Sequence, residues 1–378
     1  MKKLLLVISV FTGLLFTVSS CHDESETLSP AYPIASSTPQ AAEVPTLPVN
    51  PSVSVEDNSF FTNHPYWRGA DGGFTVKLKS GKVLWLFGDT LIDRDGTGDR
   101  ENGRMIRNSI AIQQSNSLSA PILYAFQGTR KEPKSYFDTE GDSFFWPGNG
   151  IAIQDKLVIF LAEKEKLESG QGPRTKGWYV AIVNNPDANP NRWDIDYVQG
   201  TNTFGVLVGI GQLLDAGDYV YAYSAKDPRP HRTYLLRYKK EDLIKGELAN
   251  VEWWIDNEWK ANVGSEPISS ALFGGGPMAY SVHFDEKYQK YIQILVGGER
   301  QTDLLYRSSD TPYGPWTKTV TLYEAPLHDT RLKIYGGRAH PEYTGDGLIV
   351  TYNTNGQALA KEEKDNRVWF PKVIRVNW

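Results

Sequence analysis

Five times along this chain, a short apolar run, a tight polar turn and a second apolar run follow one another. The copies are GGFTVKLKSGKVLWLFGDT, GNGIAIQDKLVIFLAEKE, VLVGIGQLLDAGDYVYAYSAKD, PMAYSVHFDEKYQKYIQILVGGE and HPEYTGDGLIVTYNTN, starting near residues 71, 148, 206, 277 and 340. Each reads as a two-stranded unit bounded by Gly, Asp or Asn. Spacings of 58 to 77 residues leave room for two more strands per unit, and YVAIVNNPDANPNRW, TYLLRYKKEDLIKGELANVEWW and LLYRSSDTPYGPW supply them after three of the copies. A four-stranded sheet of this kind buries its apolar face only against a neighbour, and a closed ring of such sheets leaves no exposed edge. The expected fold is therefore all-β, a five-bladed β-propeller over residues 53–378; a β-sandwich would not need five comparable units. Only EDLIKGEL (241–248) has a helical pattern, and aromatic residues, 12% of the chain, suit sheet packing. The last unit ends at VIRVNW and is short, so a segment near residues 51–70 is expected to complete its sheet.

The N-terminal residues concern location rather than fold. MKK, then LLLVISVFTGLLFTV, then Ser19, Ser20 and Cys21 make a charged, an apolar and a small-residue region, so residues 1–20 read as a signal peptide. Val18, Ser19 and Ser20 ahead of Cys21 resemble the lipobox of bacterial lipoproteins, which implies that Cys21 is lipidated and anchors the protein to a membrane. Cys21 is the single cysteine, which excludes a disulfide framework and any cysteine-ligated metal site. Residues 21–52 are rich in Ser, Thr, Pro, Ala and Glu and read as a flexible tether. Its first residues, HDESE, are similar to export signals on surface lipoproteins of the Bacteroides group; a solvated linker would look the same. The expected location is the bacterial cell envelope, as an outer-membrane lipoprotein that is periplasmic or surface-exposed. Loss of the two leader lysines takes the formal charge from −5 to about −7, and with no basic stripe nucleic acid is not an expected partner.

In a propeller, the start of each inner strand lies at the same end of the ring as the finish of the second strand, which makes Asp71 and Asp89 neighbours at one mouth. With a turn at Lys79, Ser80 and Gly81, positions summing to 160 pair and the two aspartates face each other; with Ser80 and Gly81 alone the sum is 161 and they sit diagonally. The strands are apolar on both faces, so the pattern permits either register. The same folding places Trp146 and Glu163, Asp227, Glu299, and Arg338, His340 and Asn353 at that mouth. A tryptophan for sugar stacking and several carboxylates suit glycosidic bond cleavage, in which one carboxyl protonates the leaving oxygen and another activates water or attacks the anomeric carbon. Asp at strand ends also commonly just bonds local amides. For Asp71 and Asp89 the flanking glycines, which admit close ligand approach, favour a catalytic pair.

GADGGFTVKLKSGKVLWLFGDT, RNSIAI (107–112), FFWPGNGIAI (144–153), SSDTPYGPW (308–316) and YGGRAHPEYTGDGLIVTYNTN (335–355) resemble the five-bladed propellers first catalogued as domain of unknown function 4185, which include the endo-D-arabinanases of glycoside hydrolase family 183. The resemblance implies that Asp71 and Asp89 are the acid/base pair and that the substrate is a polysaccharide such as arabinan; fructans and galactans are alternatives on the same architecture. WPGNG carries Asn149 where related sequences often have an acid, which weakens the case for a third catalytic carboxylate. A noncatalytic glycan-binding surface lipoprotein that uses the same mouth for capture is the reading from another class.

Other polar residues have weaker patterns. In DRDGTGDREN, Asp93, Asp95 and Asp99 are spaced as oxygen ligands for calcium are, without the flanking helices, so calcium is possible and no cofactor is required. Arg107 and Asn108 follow that loop and are expected to reach the mouth and hold a substrate group. His340 and Glu342, in AHPE, are read as the start of the last inner strand and as substrate contacts. No HExxH, GxSxG or complete phosphate loop occurs.

Overall fold

The computed structural model describes residues 46–378 except 49, 99, 101, 140, 168–171, 344 and 356–367. The leader, Cys21, most of the expected tether and Asp99 lie outside the described residues. Five antiparallel sheets make a five-bladed propeller. From the inside outward, the first blade is Trp67–Lys77, Val83–Asp93, Ser109–Gln113 and Ile122–Ala125, with Gly103–Ile106 added to the second strand. The second is Ser143–Ile153, Lys156–Glu165, Arg174–Val183 and Ile195–Gln199. The third, from Val206–Ala216 and Tyr219–Lys226, has five strands. The fourth begins Ser281–Asp285 and Lys290–Gly297, and the fifth Lys333–His340 and Leu348–Asn355. Inner strands meet in chain order, and that of the fifth blade returns to that of the first.

The fifth blade is completed as expected. Its outer strand is Ser52–Val55, paired antiparallel with Lys372–Asn377 from Ser52↔Asn377 to Val55↔Ile374. An N-terminal strand thus closes a sheet otherwise built from the C-terminus, covering the last open edge. The helical pattern at 241–248 is a short helix, Lys240–Lys245, ended by Gly246 at φ +76°.

Each blade packs on two neighbours, which is why both faces of its strands are apolar. Phe74, Val76, Leu84 and Leu86 meet Leu157, Ile159 and Leu161 of the second blade. Trp85 and Phe87, one residue out of phase, meet Ile349 and Val373 of the fifth. Each such side chain contributes roughly 1.5–3 kcal/mol on burial.

The first hairpin takes the register that sums to 160, from Lys77↔Val83 to Phe74↔Leu86, with Gly81 at φ +83° in the turn. Bulges then break the ladder at Gly72, and Gly72 and Gly73 take φ of +87° and +108°, where a side chain would be strained. The last inner strand corrects the sequence expectation. It starts at Lys333, and His340 is its final residue. KIYGGRAH is the inner strand and PEYTGDG the turn; the tight HPE stretch had suggested a beginning where the chain in fact leaves the strand.

Candidate active site

Asp71 and Asp89 come together at the mouth where inner strands begin. The bulged Gly72–Gly73 segment takes Asp71 out of the ladder, and its Cβ lies 3.5 Å from the point a Cβ on Gly88 would occupy. Trp146 Cδ1 is 3.9 Å from the same point, so the second blade's inner strand touches the pair. From the fifth blade, the Tyr335 hydroxyl donates to Asp71 Oδ1. Three blades therefore meet at one carboxylate pair.

The two acids have different surroundings. Burial raises Asp71 from its ordinary value to about 6, with the Asp89 charge adding to the rise and the Tyr335 hydrogen bond opposing it. Burial also raises Asp89, but two cationic or polar donors oppose it: the Trp146 indole N–H at 2.9 Å and the Arg107 guanidinium at 3.2 Å. Asp89 has a dedicated counter-charge, whereas Asp71 has a neutral phenol. Burial thus lifts both carboxyls, and only at Asp89 does a cation oppose the rise.

Around them, the Arg107 guanidinium lies over Phe144, 4.4 Å from the ring centre. Lys164 is almost wholly buried, stands 5.3 Å over the Trp146 ring and pairs with Asp227 at 2.7 Å; the Thr175 hydroxyl also donates to Asp227. Burial would raise Asp227, but these bonds leave it below its ordinary value. Trp146, expected as a stacking platform, is half-buried: its indole N–H donates to Asp89, and Lys164 stands over one face of its ring. Beside Tyr335 opens a cleft of about 910 Å³, lined by Arg229, His231, Met278, Val296, Tyr335 and Gly336 among others.

Several expected contacts belong elsewhere. Asn108 is buried and braces the chain, donating to Phe137 O at 2.8 Å and Phe145 O at 2.9 Å and accepting from Phe137 N at 2.7 Å. Asn149 is buried on the second inner strand and accepts from Gly150 N. Glu163 is buried between Ser143 Oγ (2.8 Å) and Lys176 Nζ (3.0 Å). Glu299 is exposed on the turn after the fourth blade's second strand. Asn353 donates to Ala70 O at 2.9 Å, supporting the residue before Asp71.

The AHPE residues lie toward the far end of the ring, not at the mouth. His340 is fully buried, bonded to Thr75 Oγ1 and Thr351 Oγ1 at 2.7 Å each, and burial holds it well below the usual imidazole range. Thr75 donates onward to Glu342 at 3.0 Å, so with Glu342 ionised His340 Nδ1 is the donor and Nε2 the acceptor. Burial lifts Glu342 to about 7. Arg338 lies over Phe74 at 3.4 Å, and burial lowers it to about 9.

The calcium spacing resolves into local turns. Both Asp93 oxygens accept backbone amides, from Asp95 (3.0 Å), Gly96 (2.9 Å) and Gly98 (2.8 Å), and Asp95 accepts from Asn102 at 2.8 Å. Among the described residues no group of three His, Cys, Asp or Glu could hold a metal. No helix among them is long and apolar enough to cross a membrane.

Tyr335 and Lys164 were not anticipated. A signal for Tyr335 existed: Tyr335-Gly336-Gly337 repeats the Asp71-Gly72-Gly73 pattern at the mouth end of an inner strand, with Gly336 at φ +63°.

Among solved structures, the chain is similar to a candidate hydrolase from Bacteroides ovatus, with a TM-score of 0.69, 18% identity and coverage of 84% of this chain and 88% of that one. It is also similar to an exo-beta-1,3-galactanase from Phanerochaete chrysosporium (TM-score 0.49, 12% identity, 86% and 63% covered). A third is the GH62 alpha-L-arabinofuranosidase catalytic domain of Coprinopsis cinerea (0.47, 10%, 87% and 98%). At these identities the likeness concerns the fold. No curated protein sequence matches the chain. The family that matches is a different one from that which the motifs resemble: over residues 56–377, the chain belongs to the family described as Domain of unknown function (DUF5005).

Proposed function

We propose that the protein is a secreted, lipid-anchored glycoside hydrolase that cleaves a polysaccharide or oligosaccharide at the axial mouth. The observation that carries this reading is the meeting of two carboxyls, both raised by burial but with different partners: Asp71, lifted to about 6, is bonded to a phenol, and Asp89 is bonded to a guanidinium and an indole. Such a division suits general acid catalysis by one member and base or nucleophilic catalysis by the other. Asp71 gives its proton to the glycosidic oxygen as the C1–O bond breaks. Asp89 either takes a proton from the attacking water or attacks C1 itself. Tyr335 fixes the donor carboxyl, and Arg107 keeps the second one charged.

The cleft beside Tyr335 is of the size that holds several sugar rings, and Met278, Val296 and glycines among its lining suit the apolar faces of sugars. Arabinan is the first substrate to test, from the resemblance of ADGG and LFGDT, followed by fructans and galactans. Anchoring through lipid on Cys21, with residues 21–52 as tether, would hold the propeller at the cell envelope beside such polymers; mass spectrometry of the mature N-terminus tests it.

The functional test is product release from plant, fungal and mycobacterial glycans by the protein from residue 22 onward and by Asp71→Asn and Asp89→Asn. Release by the parent that both variants abolish supports the reading. No release, with glycan binding equal in all three, would identify a capture module instead.

A further inference from the structure

At the end of the ring opposite the acid pair, a groove of about 450 Å³ lies between the fourth and fifth blades, beside the hairpin turns that end their inner strands. His283, Asp285, Pro341, Leu348, Asn377 and Trp378 are among its lining residues. On the strand Ser281–Asp285, alternate side chains share a face. Ser281 Oγ accepts from Ala339 N of the fifth blade at 2.7 Å, so His283 and Asp285 face that blade and the groove as well.

Two residues that line the groove carry buried polar atoms for which the described residues supply no partner. His283 is only 6% exposed, and neither ring nitrogen has a hydrogen-bond partner among the described residues. The Trp378 indole N–H, also buried, has none. Folded proteins rarely leave such groups unpaired, because each forfeits the hydrogen bonds it would make in water. By contrast, the other buried imidazole, His340, has a partner on both nitrogens. Burial holds His283 down at about 4 against the opposing charge of Asp285, so near neutral pH the ring is uncharged.

A neutral imidazole presents one donor and one acceptor, and the indole a further donor. That set matches adjacent hydroxyl groups, each of which can donate and accept. Asp285, Glu286 and Asp346 line the same groove against the single cation Lys287, a balance that disfavours an anion. The Trp378 ring, fixed edge to face on Tyr306 with centroids 4.8 Å apart, gives a wall against which a sugar ring can lie.

We infer that this groove is a second carbohydrate-binding site, taking a neutral sugar unit through His283 and Trp378. It stands apart from the catalytic reading, because it shares no residue with the mouth and uses no acid of the pair. A glycan-cleaving protein with such a site would hold polymer at two points.

The test is NMR of the histidine ring signals in labelled protein, assigned with His283→Gln, during titration with L-arabinose, D-xylose, D-galactose and D-glucose and with short arabinan and galactan oligosaccharides. The His283 signals are expected to shift saturably while those of His340 do not. Trp378→Phe, which keeps an aromatic ring on Tyr306 but loses the pyrrole ring and its N–H, should weaken that saturation about tenfold. It should leave release from short substrates unchanged. His283 signals unmoved by every sugar in the folded parent would overturn the inference, as would equal saturation in Trp378→Phe. Asp71→Asn should leave the His283 shifts intact, so failure of the catalytic reading and failure of this one give different results.

Discussion

Replacing Tyr335 with Phe removes one atom from the mouth, the oxygen whose proton goes to Asp71. That bond favours the ionised carboxylate and so opposes the rise that burial imposes. A hydrogen bond to a charged group contributes about 1.5–3 kcal/mol, and each 1.36 kcal/mol is one pKa unit, so the full loss would be about 1–2 units. Asp71 is half-buried and water can replace part of the bond, which favours the lower end. The direction is fixed: the value moves up from about 6, toward 7 or above. If Asp71 is the general acid, it then stays protonated to higher pH, and the basic limb of kcat/KM against pH moves up by about one unit. The assay is that profile on an activated aryl glycoside, together with carbon NMR titration of labelled aspartate carboxyls. The two limbs belong to the pair, so the shift is read from the parent-to-variant difference. A basic limb that stays in place or moves down would refute the argument, because nothing else in Tyr335→Phe changes charge.

Other outcomes follow from the same geometry. Arg107→Gln removes the counter-charge of Asp89, so the acidic limb should move to higher pH in the same assay. Asp71→Asn should be more stable than the parent at pH 7 by about 1–3 kcal/mol in urea unfolding. A carboxyl raised from 3.8 to about 6 destabilises the fold above its folded value, and the difference should vanish as pH falls below 4. Asn108→Ala loses three buried hydrogen bonds and should cost about 3 kcal/mol, with activity per folded molecule unchanged. Removing residues through Val55 strips the outer strand from the fifth blade and should lower stability by about 2–4 kcal/mol, visible as a lower Tm and concentration-dependent association.

The architecture was legible because propeller blades repeat a pattern that local physics fixes: apolar alternation, a glycine turn and a second run. The closing strand was legible for a related reason, since a sheet one strand short must find a partner. Asp71 and Asp89 could be placed at one mouth from hairpin folding with either turn, but the register was not legible because both strand faces are apolar; the structure takes the turn at Lys79, Ser80 and Gly81. What the chain did not disclose depended on contacts between blades. Trp146 looks like a sugar platform in isolation, yet Asp89 of the first blade takes its N–H and Lys164 of its own blade stands over one face of its ring. Asn108 looks like a substrate contact because it follows Arg107, yet on the link between two strands it is buried and bonds Phe137 and Phe145. AHPE reads as the start of the last inner strand, yet His340 ends that strand and the turn follows it.

The bond between Tyr335 and Asp71 crosses the joint at which the ring closes, fifth blade to first. The strand Ser52–Val55 lies on the outer edge of that same fifth blade and pairs with Lys372–Asn377, while Glu56 just beyond it is ion-paired to Arg375 at 2.8 Å. Asn353 from the blade's second strand supports Ala70, next to Asp71. Closure therefore does more than cover an edge. It fixes the position from which a phenol meets a half-buried carboxyl, and a shift of an ångström there would lengthen a bond that helps set the acid's protonation. Loss of the N-terminal strand should accordingly move the basic limb upward in molecules that are still folded, in the direction of Tyr335→Phe. The site's chemistry is in this sense a property of the ring, held by residues nearly three hundred positions apart in the chain.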